Sequence, residues 1–177
     1  LYCDRKGRMW IGTFGGGLDL AIKENNRYTF RHFFTKTFGQ RRTRAIIEDS
    51  NGWIWVGNSD GVYVFSPDSL QADPQNYLTY NYNNGKLRSN EIKCIYQDTQ
   101  NRIWIGSSGG GLSMCIPGTD YHNLTFKHYG TSNGLVNDMV QAIAEDKQGN
   151  LWIATEYGIS RFNPETQAFD NYFFSAY

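Results

Sequence analysis

The chain has 177 residues, with 17 acidic and 17 basic side chains and a formal net charge of zero, so there is no electrostatic case for nucleic acid or a membrane surface as partner. Aromatic residues make up 16% of the chain and glycine occurs 19 times, a mixture that suits short strands with tight turns. No apolar run approaches the roughly 18 residues of a membrane-spanning helix, and no secretion signal is visible.

The first unit of the chain sets a pattern that recurs. Asp4 opens a turn, Gly7 stands three residues on, Trp10 follows between Met9 and Ile11, and Gly12 leads into a glycine-rich turn closed by Leu18. The same series starts at Asp49 (Gly52, Trp55, Gly57, Val62), Asp98 (Asn101, Trp104, Gly106, Leu112) and Asp146 (Gly149, Trp152, Ala154, Ile159). Successive tryptophans are 45, 49 and 48 residues apart, a period that marks an array of equivalent supersecondary units. Within each unit Asp accepts backbone N–H groups of the turn, and Gly or Asn takes the positive φ that a short hairpin loop requires. The strand after the turn is apolar at consecutive positions, so it is predicted to be covered on both faces.

A third strand follows in each unit (Leu18–Ile22, Val62–Phe65, Leu112–Ile116, Ile159–Phe162), then a fourth marked by Phe30–Phe33, Thr79–Tyr82, Phe126–Tyr129 and Phe169–Tyr172. Four short strands per repeat predict β-propeller blades, over 1–33, 44–82, 91–129 and 139–173. Length variation collects between the third and fourth strands. The longest such insertion, Ser66–Asn76 with two prolines, is predicted to be a surface excursion with one helical turn. The links between blades are nearly constant, and Phe38, Leu87 and Leu135 each lie eleven residues before the next Asp as anchors. Because the chain opens at Leu1 inside a strand, it is expected to be a piece of a longer protein. An open arc of four blades is expected, its end faces covered by other blades of the same receptor or by a second copy of the chain, with 174–177 beginning a further link; a small closed ring of four blades is the alternative.

The series Asp-x-x-Gly-x-x-Trp-Ile-Gly, followed by Gly-Gly-Leu, resembles the two-component-regulator propeller repeat, in four in-register copies over essentially the whole chain. Asn101 and Ala154 are mild departures. The resemblance implies the periplasmic sensor of an inner-membrane hybrid two-component receptor of the Bacteroidetes type, a disc of seven blades, further domains of the same receptor as partners, and an oligosaccharide ligand.

Candidate chemistry is sparse. Gly15–Gly17 and Gly109–Gly111 lack the Lys-Ser/Thr of a phosphate loop and read as hairpin turns. His32 and His128 share a repeat position with Asn81 and Asn171, which suits a structural hydrogen-bonder. The repeated Asp residues are explained by turn geometry. Cys3, Cys94 and Cys115 lack metal-ligand spacing and read as buried small hydrophobes. No cofactor or metal is expected. What remains is the face where interblade links and second hairpin turns emerge together. Its candidate ligand residues are Arg41, Arg42, Arg44, Arg88, Asn90, Glu91, Lys93, Asn137, Asp138, Glu156 and Tyr157. Arg44, Lys93 and Gln141 each stand five residues before an Asp, in one register. The leading expectation is a non-catalytic ligand sensor. The alternatives are a propeller enzyme of lyase or glycosidase type, for which Glu91, Asp138 and Glu156 are the carboxylates, and a protein-binding scaffold.

Overall fold

The computed structural model describes residues 1–173. The expected link at 174–177 lies outside the described residues. Four antiparallel sheets of four strands follow one another, each made of consecutive strands in sequential order. Blade one holds β1 (Tyr2–Cys3), β2 (Met9–Gly12), β3 (Leu18–Glu24) and β4 (Arg27–Phe33). Blade two holds β5 (Ala45–Glu48), β6 (Ile54–Asn58), β7 (Gly61–Phe65) and β8 (Leu78–Tyr80), with helix α1 (Pro67–Ala72) before its last strand. Blade three holds β9 (Ile92–Gln97), β10 (Ile103–Ser107), β11 (Gly111–Cys115) and β12 (Lys127–Tyr129). Blade four holds β13 (Val140–Glu145), β14 (Leu151–Thr155), β15 (Gly158–Asn163) and β16 (Ala168–Tyr172). The molecule is an all-β, four-bladed stretch of propeller.

The local chemistry explains each hairpin. Gly7, Gly52, Asn101 and Gly149 take φ of 77°, 84°, 61° and 82°, the left-handed conformation that the Asp turn demands. Where blade one has no insertion, Asn25 and Asn26 (φ 49° and 62°) form a two-residue loop between β3 and β4, as suits a right-twisted hairpin. In blade two the insertion becomes α1, started by Pro67, with Leu70 fully buried beneath it.

The core lies between blades rather than within them. Trp10 packs with Phe33 and with Phe65 of blade two, whose Ile54 and Val56 face back towards blade one. Trp55 meets Ile103, Ile105 and Tyr121 of blade three. Trp104 meets Ile153 and Phe162 of blade four. The Trp of each blade therefore points forward and its aliphatic neighbours point back. The glycine two residues after Trp lets the next inner strand close in. A Cβ on Gly12 would stand 2.3 Å from Thr43 Cγ2, and one on Gly57 2.6 Å from Ile92 Cγ2. Phe38, Leu87 and Leu135 are buried in the links as anchors.

Two expectations need correction, for one physical reason. Trp10, Trp55 and Trp104 are at most 1% exposed, but Trp152 is 36% exposed. No blade packs against its forward face among the described residues, and it is covered only in part, by Tyr172 and Arg161 of its own sheet, at 5.9 and 6.0 Å. Cys3 is likewise exposed, because it lies in the first strand of the first blade; Cys94 is half-buried and Cys115 buried.

Candidate ligand-binding site

The repeated carboxylates are fully occupied by structure. One oxygen of each accepts the backbone N–H groups two and four residues on: Lys6 and Arg8 at 3.0 and 2.9 Å, Asn51 and Trp53 at 2.9 and 3.0 Å, and likewise in the other copies. The other oxygen accepts the indole N–H of the Trp six residues on, at 3.0, 2.8, 2.8 and 2.9 Å. These groups tie the hairpin to the core. Among the described residues no three His, Cys, Asp or Glu side chains gather closely enough to bind one.

The following blade then reaches back to the same turn. Asp68 of α1 pairs with Lys6 and Arg8 of blade one, at 3.0 and 2.7 Å, and Glu165 of blade four with Arg102 of blade three, at 3.5 Å. Between blades two and three the Arg position holds Trp53. Tyr121 of blade three stacks on that ring at 3.9 Å and donates its hydroxyl to Asp49 at 2.6 Å. The Tyr80 hydroxyl in turn donates to the Tyr121 carbonyl. Burial together with the Asp49 bond raises the Tyr121 pKa, which keeps the phenol a donor.

These bonds carry a pH signature. Burial alone would raise the Asp4 pKa, but donation from the Trp10 indole and from Arg8 outweighs it and holds the carboxyl below its usual value. Asp146 is lowered too, first by the Trp152 indole. A depressed folded pKa contributes stability that is complete above the unfolded value of about 3.9 and lost as pH falls through the folded one. Chemical denaturation is therefore expected to show an acid limb, with stability falling below about pH 4 as Asp4 and Asp146 protonate. The acid limb should shallow in Asp4→Asn.

The histidines are bracing groups. His32 faces Asp19 across β3–β4 at 2.6 Å and His128 faces Ser113 across β11–β12 at 2.8 Å. Asn171 faces Ser160 at the same place in blade four, again at 2.6 Å. Burial and the charge of Arg88 lower the His128 pKa.

The interblade links and second hairpin turns do share one end of the sheets. Phe14 bridges Arg42, Ser108 bridges Met139, and Gly109 and Gly111 donate to the Asp138 carbonyl. Several sequence candidates also make bracing contacts there. Asn90 accepts the Tyr82 N–H and donates to Asn83; Asn137 accepts the Met139 N–H; Asp138 accepts the Thr131 N–H. Arg41 is drawn to Asp60 at 3.6 Å, and Glu156 accepts from Gln141 at 3.3 Å. Arg88 and Tyr157 are exposed at the same end but line none of the concavities described below.

The rest converge. Arg44, Lys93 and Gln141, one from each of three successive blades, line a basin of about 480 Å³ with Phe14, Arg42 and Thr43. A second basin of about 530 Å³ shares Arg42 and Arg44 and adds Arg41, Ser59 and Glu91. A groove of about 300 Å³ continues past Arg44 and Lys93 along Ala45–Ile47 and Cys94–Ile95 to Leu1. The concavity lies where the starts of the inner strands meet, as in the mouth of a propeller. Gly12, Thr13 and Thr43 line the first basin too, and repeat reasoning did not place them on this face.

Against known proteins, a family model described as two component regulator propeller matches residues 1–15, 38–60, 86–109 and 134–157. Histidine kinase P4 of Formosa agariphila is 22% identical over 162 residues, which are 90% of this chain and 12% of that protein. The extracellular domain of hybrid two component system BT4673 from B. thetaiotaomicron superposes with a TM-score of 0.77 at 22% identity, covering 97% of this chain and 24% of that one. The corresponding domain of BT3049 from the same organism gives 0.56 at 24% identity, covering 97% and 28%. The chain thus spans less than a third of the length of each relative.

Proposed function

Because the chain is built of four two-component regulator propeller repeats, we propose that it is a ligand-sensing segment of a hybrid two-component receptor, held on the periplasmic side of the inner membrane and recognising an oligosaccharide. Its partners are then the remaining blades and domains of the same receptor. The observation that carries this reading is the polar basin at one end of the inner strands. Arg44, Lys93 and Gln141 occupy equivalent repeat positions yet differ in chemistry, and they open on one concavity. Fixed polar groups converging beside an exposed aromatic ring such as Phe14 suit a polyhydroxylated ligand. The relatives named above, a histidine kinase and the extracellular domains of two hybrid systems, support the receptor context.

Nothing in the geometry favours catalysis. The three carboxylates that an enzyme would use are held separately: Asp138 by Thr131, Glu156 by Gln141, and Glu91 in the second basin among arginines. The test is a calorimetric screen of a panel of oligosaccharides against the complete extracytoplasmic part of the protein. Saturable binding without turnover supports the sensor reading. Hydrolysis or eliminative cleavage of a panel member, or no binding throughout, overturns it.

A further inference from the structure

The mouth of the inner strands gathers positive charge without a carboxylate beside it. The chain is balanced overall, and the arginines at the Asp turns are paired: Arg5 with Glu48, Arg8 with Asp4 and Asp68, Arg102 with Asp98 and Glu165. The cations at the mouth are not paired in this way. Among the described residues no carboxylate lies within 4.0 Å of Arg42, Arg44 or Lys93. These three side chains nevertheless line the same basin, to which no acidic residue contributes. Arg42 is also held in place, its guanidinium 3.9 Å above the Phe14 ring. A stacked guanidinium keeps its N–H edge free for a planar acceptor and loses little further freedom on binding.

Three like charges facing one concavity repel each other, and that cost is relieved by a bound anion. From this we infer that the basin takes an anionic group carried by the ligand, a carboxylate or sulfate ester on a sugar ring. Arg42 and Arg44 present forked donors to it, Lys93 adds a point charge, and Phe14 lies against the ring face. The inference rests on the sensor reading and narrows its ligand to acidic oligosaccharides.

The experiment uses the complete extracytoplasmic part of the protein and three probes: an oligogalacturonide, its methyl-esterified neutral counterpart, and inorganic sulfate. The acidic oligomer is expected to bind, to weaken as salt rises, and to lose about tenfold or more in affinity in each of Arg44→Ala and Lys93→Ala. The thermal midpoint of the unliganded protein should stay the same or rise in these variants, because a repelling charge has been removed. A purely structural role for the side chains would lower it. Equal binding of the neutral oligomer, unchanged in both variants, would overturn the inference while leaving the sensor reading intact. Sulfate binding as tight as the oligomer would assign the site to a free anion and overturn it too. Binding of neither oligomer would overturn the inference and count against the sensor reading itself.

Discussion

Truncation of Trp104 to alanine is expected to destabilise the protein by about 3–5 kcal/mol, the range for a large buried aromatic. The indole is 1% exposed and lies 5.8 Å from Tyr129 and 5.6 Å from Phe162 of the next blade. Its loss therefore opens a cavity at a blade interface rather than in one sheet. It also strips the Asp98 carboxylate of its indole donor at 2.8 Å, leaving Arg102 and two backbone N–H groups. Urea unfolding of the intact protein reads the effect. Phe at this position should recover part of the loss, since it refills the space but cannot donate to Asp98. Equal losses in the Ala and Phe variants would show that the hydrogen bond, not the packing, dominates.

Replacing Asp49 by alanine should cost a similar amount, about 3–5 kcal/mol, by a different mechanism. This carboxylate is 1% exposed and accepts four bonds: the Asn51 and Trp53 backbone N–H, the Trp55 indole at 2.8 Å and the Tyr121 hydroxyl at 2.6 Å. Each buried donor left without a partner costs about 1–3 kcal/mol, although the backbone groups of a turn recover water. Tyr121→Phe removes a single donor and should cost about 0.5–1.5 kcal/mol, leaving the stack on Trp53 in place. In a double-mutant cycle on Asp49 and Tyr121 the two changes should fall well short of additivity, because they share one bond across the interface of blades two and three. Additive losses would mean that the contact carries no coupling.

Sequence reasoning reached the blades because the repeat is written in local chemistry. An Asp turn, a positive-φ Gly or Asn and a forward-pointing Trp recur within a dozen residues, and period alone places them. The interblade anchors Phe38, Leu87 and Leu135 were legible for the same reason. Contacts made by unique residues across a seam were not. Tyr121 reaches Asp49 from an insertion of the next blade, and the clue lay in what the second copy lacks: it has Trp53 where copies one and three have Arg8 and Arg102. Asp68 and Glu165 also come from the variable segment, where no period exists to place them. Trp152 was misjudged because period treats all copies alike, whereas burial depends on the neighbour that each copy has.

The candidate site divides along the same line. The register of Arg44, Lys93 and Gln141 could be counted from the Asp positions, and the three do open on one basin. The flanking candidates carry local roles as well. Asn90, Asn137 and Asp138 have short-range acceptor roles within their links, which composition cannot distinguish from ligand-facing polarity.

We propose that these blades sense a ligand on behalf of a kinase. The most direct measurement is phosphorylation of the full-length receptor reconstituted in lipid vesicles, with an acidic oligosaccharide supplied on the side that bears the propeller. The phosphorylated fraction is expected to change with oligosaccharide concentration in the wild type, and Arg44→Ala to move the midpoint to about tenfold higher concentration. A phosphorylation level that ignores an oligosaccharide bound at saturation, or responds identically in wild type and Arg44→Ala, would contradict it.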